Sequence, residues 1–518
     1  MAVPVLVYVA LAAYLIRCFR IYRRHSRQYG HIPAVGSDNI VSSFVTAVQF
    51  LYKADVVFER GYRKYKGRVF RIPQLTGWFV CVSGDQLVEE LRKAPENVLS
   101  GVAAQDDFSQ NQYTMGPTLR ETTIHVDIVR TALNRNLNKL LPQVIDEISV
   151  AFSKDLGSKL LEGSEWTPVR VTSVILRIVS RATARSFVGL PVCRLDEYHR
   201  ATVQFTTNVV AGGVFINLFP EFLKPLVGRL ISRIRGPQNT VLKHLAPIIE
   251  DRKVSRAKDG FDYPGKPNDL LQWLMDAAGP KYYENNSDLS LRTLGVTFAA
   301  IHTTSLTLTN ALYDLAAFPQ YAAPLRQEII EHMGPDTLMW TKEALERCWK
   351  LDSFFKESVR MHSITPMVLL RKVLRDYTFS DGTTIPAGAT ISTTSLAMHH
   401  DPKHYADPHT FNGFRFSSIR EKMQGDESAK DMGDEKGSHL RFTGTDHHYL
   451  VFGGGRHVCP GRFFAAMQVK CALAYLLLNY DVKMRQEGVR PPDVRFGLYA
   501  TANRNTEVMF RRREKVVV

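Results

Sequence analysis

One string constrains this chain more than any other: FGGGRHVCPGRFFA, residues 452–465. Three consecutive glycines permit backbone conformations and close approaches that a Cβ forbids. Cys459, Pro460 and Gly461 then open an apolar run, predicted to be helical over about 461–478. A cysteine so placed sits at a helix N-terminus, where the dipole and the unpaired backbone N–H groups favour its thiolate. Arg456 and His457 add positive charge beside it. Alone, Cys459 would read as a small residue at a turn. Within this string it suits a thiolate metal ligand at a flat cofactor, with Phe452 as the apolar partner of the ring.

The remaining sequence is able to house such a site. Its 518 residues, 45% hydrophobic and 23% charged, suit an enzyme-sized globular body and exclude a disordered or many-span membrane chain. A net charge of +15 could serve an anionic membrane or an acidic partner. It is spread out and accompanied by no nucleic-acid motif, so nucleic acid is not expected as a partner. Cys18, Cys81, Cys193, Cys348 and Cys471 form no CxxC and no dense framework; they read as small apolar residues in a reducing compartment. Residues 2–16 carry no charge, and apolar character continues to Tyr22, roughly the twenty residues a bilayer needs. Arg17, Arg20, Arg23 and Arg24 follow, which places the bulk of the chain in the cytosol by the positive-inside rule. Basic residues after the run, rather than before it, favour an uncleaved anchor over a signal peptide. No second stretch of comparable length and purity is expected. The chain thus divides into an anchor with its basic cluster (1–24), a Pro/Gly hinge (25–40) containing HIPAVG, and a body (41–518). Within the body, strand patterns lie near Arg68 and Trp78, amphipathic helices over 126–141, 144–161 and 291–317, a β-rich stretch over 367–394 and a solvated loop over 420–436.

The cysteine string resembles the haem-binding loop of the cytochrome P450 superfamily, FxxGxRxCxG. Phe452, Gly455, Cys459 and Gly461 match, and His457 stands where the family usually has an arginine that contacts a haem propionate. In FFKESVRMH, Glu357 and Arg360 lie three apart on one helix face and resemble the family's ExxR pair. Alone such a pair usually just solvates a helix. Arg415, in FNGFRF, resembles the third member of that buried structural triad. FAAIHTTSLTLTN resembles the oxygen-binding motif AGx(D/E)T(T/S), aligning Ala299, Ala300, Thr303 and Thr304. The resemblance implies that the small residues leave room for dioxygen and that Thr303 donates a hydrogen bond and relays protons. Read without it, Thr303 would be a helix threonine bonding back to a carbonyl. His302 replaces the usual acid, and either joins the relay or turns away to bond the backbone. Weaker likenesses assign Arg371 to a propionate, and Arg130 in HVDIVRTAL to the basic residue of a WxxxR helix, with Val126 in the Trp position and His125 beside it. The pairs His399–His400 and His447–His448 lack helical i,i+4 spacing and acidic company, and read as structural.

The resemblance covers almost the whole chain, and AAIHTTS together with GGGRHVCPGR looks most like fungal microsomal enzymes, relatives of which oxidise terpenoid or steroid skeletons in secondary metabolism. It implies a mainly α (α+β) fold: one large triangular helix-rich body with small β-sheets, after a single N-terminal transmembrane helix in the endoplasmic reticulum membrane. It implies haem b (iron protoporphyrin IX) with Cys459 as axial thiolate, electrons from NADPH through NADPH–cytochrome P450 reductase, O2, and oxygen insertion into an unactivated C–H bond of a small apolar substrate. Arg456, Arg462 and Lys470 are the candidates for a basic face that meets an acidic reductase. Segments 101–122, 205–226, 364–369 and 499–502, with Phe298 and Ala299, would wall the pocket, Val210, Phe215 and Phe222 among them. Two rivals are a haem-thiolate isomerase or dehydratase that consumes no O2, against which Thr303 stands, and a non-catalytic haem-binding membrane protein. The sequon at Asn285 would go unused on a cytosolic body.

Overall fold

The structure is a computed structural model that describes residues 27–513 apart from 37–38, 76, 117, 161–164, 234 and 426–436, together with residues 12, 16, 19, 20 and 23. The anchor read over 1–24 therefore lies almost wholly outside the described residues, as do the last eleven residues of the loop read over 420–436.

Helix α1 (Ile40–Lys64) leads into β1 (Val69–Gln74), β2 (Gly77–Val82), α2 (Asp85–Lys93) and the two-residue strand β3 (Leu99–Ser100). The middle of the chain is helical: α3 (Leu137–Asp155), a short strand β4 (Thr167–Arg170), α4 (Val171–Phe187), α5 (Asp196–Asn217), α6 (Lys224–Ser232), α7 (Gly236–Asp259), α8 (Asn286–Ala317) and α9 (Trp349–Met361). The last third holds β5 (Met367–Val373), β6 (Thr390–Thr394), α10 (Arg415–Gly425), α11 (Arg462–Asn479), β7 (Tyr480–Met484) and β8 (Glu507–Arg512), with shorter elements between. One sheet runs β1-β2-β6-β5-β3 and a second β4-β8-β7. The β2–β6 pairing is parallel, while β1–β2, β5–β6 and β3–β5 are antiparallel. The strands belong to a largely helical body, in agreement with the expected fold class.

Helix α8, 32 residues long, runs through the main hydrophobic core, with Leu308, Ala311, Leu312 and Leu315 fully buried. It starts five residues before the predicted 291 because Asn285 caps it, accepting from Asp288 N, and a buried Asp288–Arg292 pair (2.7 Å) holds its first turn. Three other boundaries differ from the sequence reading. The helix read over 126–141 is three pieces: Ile124–Ile128, a π-helical turn Val129–Leu133, and then α3. The break falls at Asn136 rather than at Pro142, which sits inside α3; α3 ends at Asp155, short of the predicted 161. The loop read from 420 is helical through Gly425.

A membrane-length helix in the body also departs from expectation. Among the described residues, α1 is long and apolar enough to cross a bilayer. It is interrupted by non-helical backbone at Lys53 and packs Phe50, Val57, Phe58 and Tyr62 into the body, while Val41, Phe44, Val45 and Tyr52 stay exposed. Its apolarity thus has two destinations, a core face and an outer face.

Candidate active site

Cys459 is held by a tight backbone turn. Its N–H donates to Phe452 O (2.8 Å), Gly453 N–H to Leu450 O (2.8 Å) and Val458 N–H to Gly455 O (3.2 Å). Gly455 has φ +62°, and a Cβ on it would meet the Arg92 carbonyl of α2 at 2.8 Å. Both the left-handed backbone and that close approach require glycine. Helix α11 starts at Arg462, so the thiol stands at its N-terminal end. Burial pushes the Cys459 thiol up; the Gly461 N–H and the Arg462 charge oppose it. A partly buried cysteine backed by a helix N-terminus has the donor chemistry of a thiolate metal ligand.

The oxygen-motif residues lie on one stripe of α8. Ala299 and Thr303, one turn apart, are exposed on a helix otherwise embedded in the core, and Gly295 and Thr307 extend the stripe half-buried. Thr303 Oγ1 donates to Ala299 O (2.9 Å). Thr304, one position round the helix, is buried off the stripe. His302 Nε2 lies 2.6 Å from Thr206 Oγ1 of α5, a side-chain partner that neither sequence alternative named. Burial keeps this imidazole below its ordinary pKa, with Arg504 adding to the effect.

Arg371, His457 and Gly101 are neighbours: a Cβ on Gly101 would stand 3.2 Å from the His457 ring and 3.3 Å from Arg371 Nη1. Strand β5 carries a register shift between Val368 and Arg371, with Leu369 in the left-handed region at φ +56°. Such a bulge re-aims the side chains beyond it. Arg371 is 3% exposed, yet its Nε and Nη2 have no partner; His125 Nδ1 is another buried nitrogen without one. Burial pushes His125 down to about 4. His457 Nε2 lies 2.7 Å from Glu96 Oε2, and Glu96 also accepts from Ser100 Oγ and the N–H groups of Gly101 and Val102. Arg130 is exposed, 3.6 Å from Asp127. Unpaired buried guanidinium nitrogens, a glycine cradle and a thiol at a helix end together fit a flat, anionic, metal-centred cofactor such as haem.

The structure brings Glu357, Arg360 and Arg415 together. Glu357 and Arg360 side chains are fully buried. Arg360 Nε and Nη2 donate to the two carboxylate oxygens at 2.8 Å each, and Arg415 Nε lies 3.1 Å from both. Arg360 Nη1 also donates to the carbonyls of His399 and Pro408, so the triad pins the coil that precedes α10.

Three contributors were missed from sequence because they act through tertiary contacts: Arg92 against the glycines, Glu96 against His457, and Asn134, whose Nδ2 donates to Pro460 O (3.1 Å). Asn134 follows the π turn directly, and a polar residue in an amphipathic run was its sole signal. Two expectations are corrected. Lys470 is buried, bonded to Asp352 (3.0 Å) and to Leu345 O, so it is no surface docking residue. Phe222 is 78% exposed and points to the outside, not into a pocket. Phe215 does line a cavity of about 570 Å³, with Met115, Phe205, Leu291 and Leu294. Polar groups from Gln112, Asn208 and Ser290 share that wall.

Comparison with known proteins identifies the family. The family model for cytochrome P450 matches residues 42–510. Cytochrome P450 monooxygenase 103 of Postia placenta is 38% identical over 98% of this chain and 97% of its own length. Cytochrome P450 monooxygenase CYP512U6 of Ganoderma lucidum is 30% identical over 96% and 94%, and cytochrome P450 monooxygenase AtmP of Aspergillus flavus 32% over 93% and 90%.

Proposed function

Because this chain belongs to the cytochrome P450 family and is a monooxygenase, we propose that it inserts one oxygen atom from O2 into an unactivated C–H bond of a terpenoid or steroid-like intermediate of fungal secondary metabolism. The observation that carries the reading is a glycine-shaped cysteine turn in the same body as an exposed Ala299–Thr303 stripe on a largely buried helix. Haem bound at Cys459 supplies the activation of dioxygen. The chain's own residues supply position and protons. Cys459 is the thiolate ligand, with Phe452, Gly455 and Gly461 shaping its turn. Arg371 and His457, with His125 and Arg130 as outlying members, hold the acidic edge of the cofactor. Thr303 presents a hydroxyl to the reacting space. His302 belongs to the α5–α8 contact through Thr206, which favours a positioning role over a relay. The cavity beside Phe205 and Phe215 joins an apolar wall, with Met115, Leu291 and Leu294, to a polar one, with Gln112, Asn208, Arg235 and Ser290, which suits a lipophilic body carrying oxygen functions.

Electrons come from NADPH through a reductase, with Arg456 on the exposed surface beside the cysteine turn. Residues 1–24 anchor the chain, 25–40 form the hinge and 41–518 the catalytic domain, on the cytosolic face of the endoplasmic reticulum. Exposed Phe222, Leu226 and Leu230 around α6, with Lys224 and Arg229 among them, support contact with a membrane surface. Reconstitution with a reductase and a panel of terpenoids and steroids tests the reading. NADPH consumption matched by a product one oxygen heavier supports it. Product of unchanged or dehydrated mass, formed without O2, would favour the isomerase or dehydratase.

A further inference from the structure

Three side chains that the oxygen-activating site does not use converge elsewhere. Asp85 opens α2, His404 lies in the coil after the short helix Ser395–His399, and His448 stands four residues before Phe452. One ligand atom from each lies within 4.8 Å of the other two. The His404 and His448 rings stack with centroids 3.7 Å apart and planes 18° from parallel, so one ring must turn out of the stack for both in-plane lone pairs to reach a shared ion. Three polypeptide segments far apart in sequence have therefore placed two imidazoles and a carboxylate at one point. The lack of motif spacing explains why His448 reads as structural from sequence.

We propose that Asp85, His404 and His448 bind one divalent transition-metal ion. The donor set decides the class: two imidazole nitrogens and one carboxylate oxygen suit Zn²⁺, Co²⁺, Ni²⁺ or Cu²⁺ and do not suit the all-oxygen preference of Ca²⁺ or Mg²⁺. His448 Nδ1 is buried without a hydrogen-bond partner and lies 3.8 Å from Asp85 Oδ1. An ion between them satisfies both atoms. The backbone at His448 is fixed in advance, since its N–H donates to Asp446 Oδ1 (2.7 Å) and its carbonyl accepts from Tyr405 Oη (3.1 Å). One competitor is present: Lys403 Nζ lies 3.2 Å from Asp85 Oδ2. It occupies the other carboxylate oxygen from the one that faces His448.

Such an ion would clip the start of α2 to the approach to the cysteine turn. The far end of α2 already bears on that turn, through Arg92 against Gly454 and Gly455. Binding should therefore raise thermal stability by mass action.

The test is equilibrium titration of the chelator-washed, haem-loaded full chain with Zn²⁺. Parent protein should bind one equivalent at this site and gain thermal stability, while Ca²⁺ and Mg²⁺ produce neither effect. His404→Ala and His448→Ala should each lower the affinity by more than about tenfold, and His409→Ala, outside the cluster, should leave it unchanged. Lys403→Met removes the competing ammonium and should tighten binding, which keeps the proposal exposed even where an alanine variant fails to fold. No saturable Zn²⁺ binding by the parent, equal binding by the two histidine variants, or unchanged or weaker binding by Lys403→Met would each overturn it.

Discussion

At the scale of single residues, charge is most exposed to error at Glu357. Its carboxylate is fully buried and shared between Arg360 and Arg415. A buried pair gains little over an apolar substitute, but removing one partner strands the other charge at a cost of about 3–5 kcal/mol. Arg360→Ala should therefore lower the thermal midpoint sharply and leave little haem-loaded protein; an unchanged midpoint and haem content would refute the buried-triad account. Thr303 and His302 are adjacent but should behave differently. With Thr303→Ala, NADPH use should continue while product per NADPH falls, because the proposed function gives this exposed hydroxyl to the reacting space. With His302→Ala, product per NADPH should stay near the parent value and stability should drop, because the imidazole serves Thr206. Equal loss of coupling in both would put His302 back in the relay. The residues legible in sequence are those whose chemistry sits in a short string: Cys459, Thr303, Glu357, Arg360 and Arg415. Glu96 and Asn134 were not legible, since their partners, His457 and Pro460, are over three hundred residues away.

At the scale of elements, the ends of α8 and α9 are tied by a charged cluster. His362, the C-cap of α9, places Nε2 3.1 Å from Asp314 of α8 and Nδ1 3.4 Å from Asp493; Arg490 Nε reaches Asp314 at 2.7 Å. Burial alone would lower the His362 pKa, but Asp314 and Asp493 outweigh it and the net shift is upward. Burial opposes ionisation of Asp493, yet the His362 bond brings it down to about 2. A raised histidine stabilises fully below its unfolded pKa of about 6.5 and ceases to do so as pH rises through its higher folded value. The depressed Asp493 contributes above its unfolded value of about 4 and loses that contribution as pH falls through about 2. Denaturation of parent and His362→Gln at a series of pH values should show a stability difference that is flat and largest between about pH 4 and 6.5 and declines above it. A difference independent of pH would show that the histidine is not charged in the fold. Periodicity found α8 and α11 with their interiors correct, because both are long and mostly buried. It failed at 126–141, where a π turn changes the phase, while β5 keeps its alternating burial despite the register shift between Val368 and Arg371. Both irregularities lie beside the candidate site.

At the scale of the molecule, the fold class was legible because ordered motifs stand along one chain, and the family match over residues 42–510 agrees. The membrane relation was less so: α1 is apolar enough to cross a bilayer, yet its Phe50, Val57, Phe58 and Tyr62 side chains belong to the core. Removing residues 1–24 should leave haem content and spectrum intact and weaken, without abolishing, binding to anionic vesicles, since apolar side chains on α1 and α6 stay exposed. Loss of haem on truncation would mean that the segment is part of the body. The central claim is that Cys459 is the axial thiolate of a bound haem. The reduced, carbon-monoxide difference spectrum of the full chain in membranes, beside Cys459→Ser, tests it directly. The account predicts the red-shifted Soret band of thiolate ligation in the parent and its absence in the variant. A folded, haem-loaded parent that shows only the shorter-wavelength band, or a variant that keeps the red-shifted one, would contradict it.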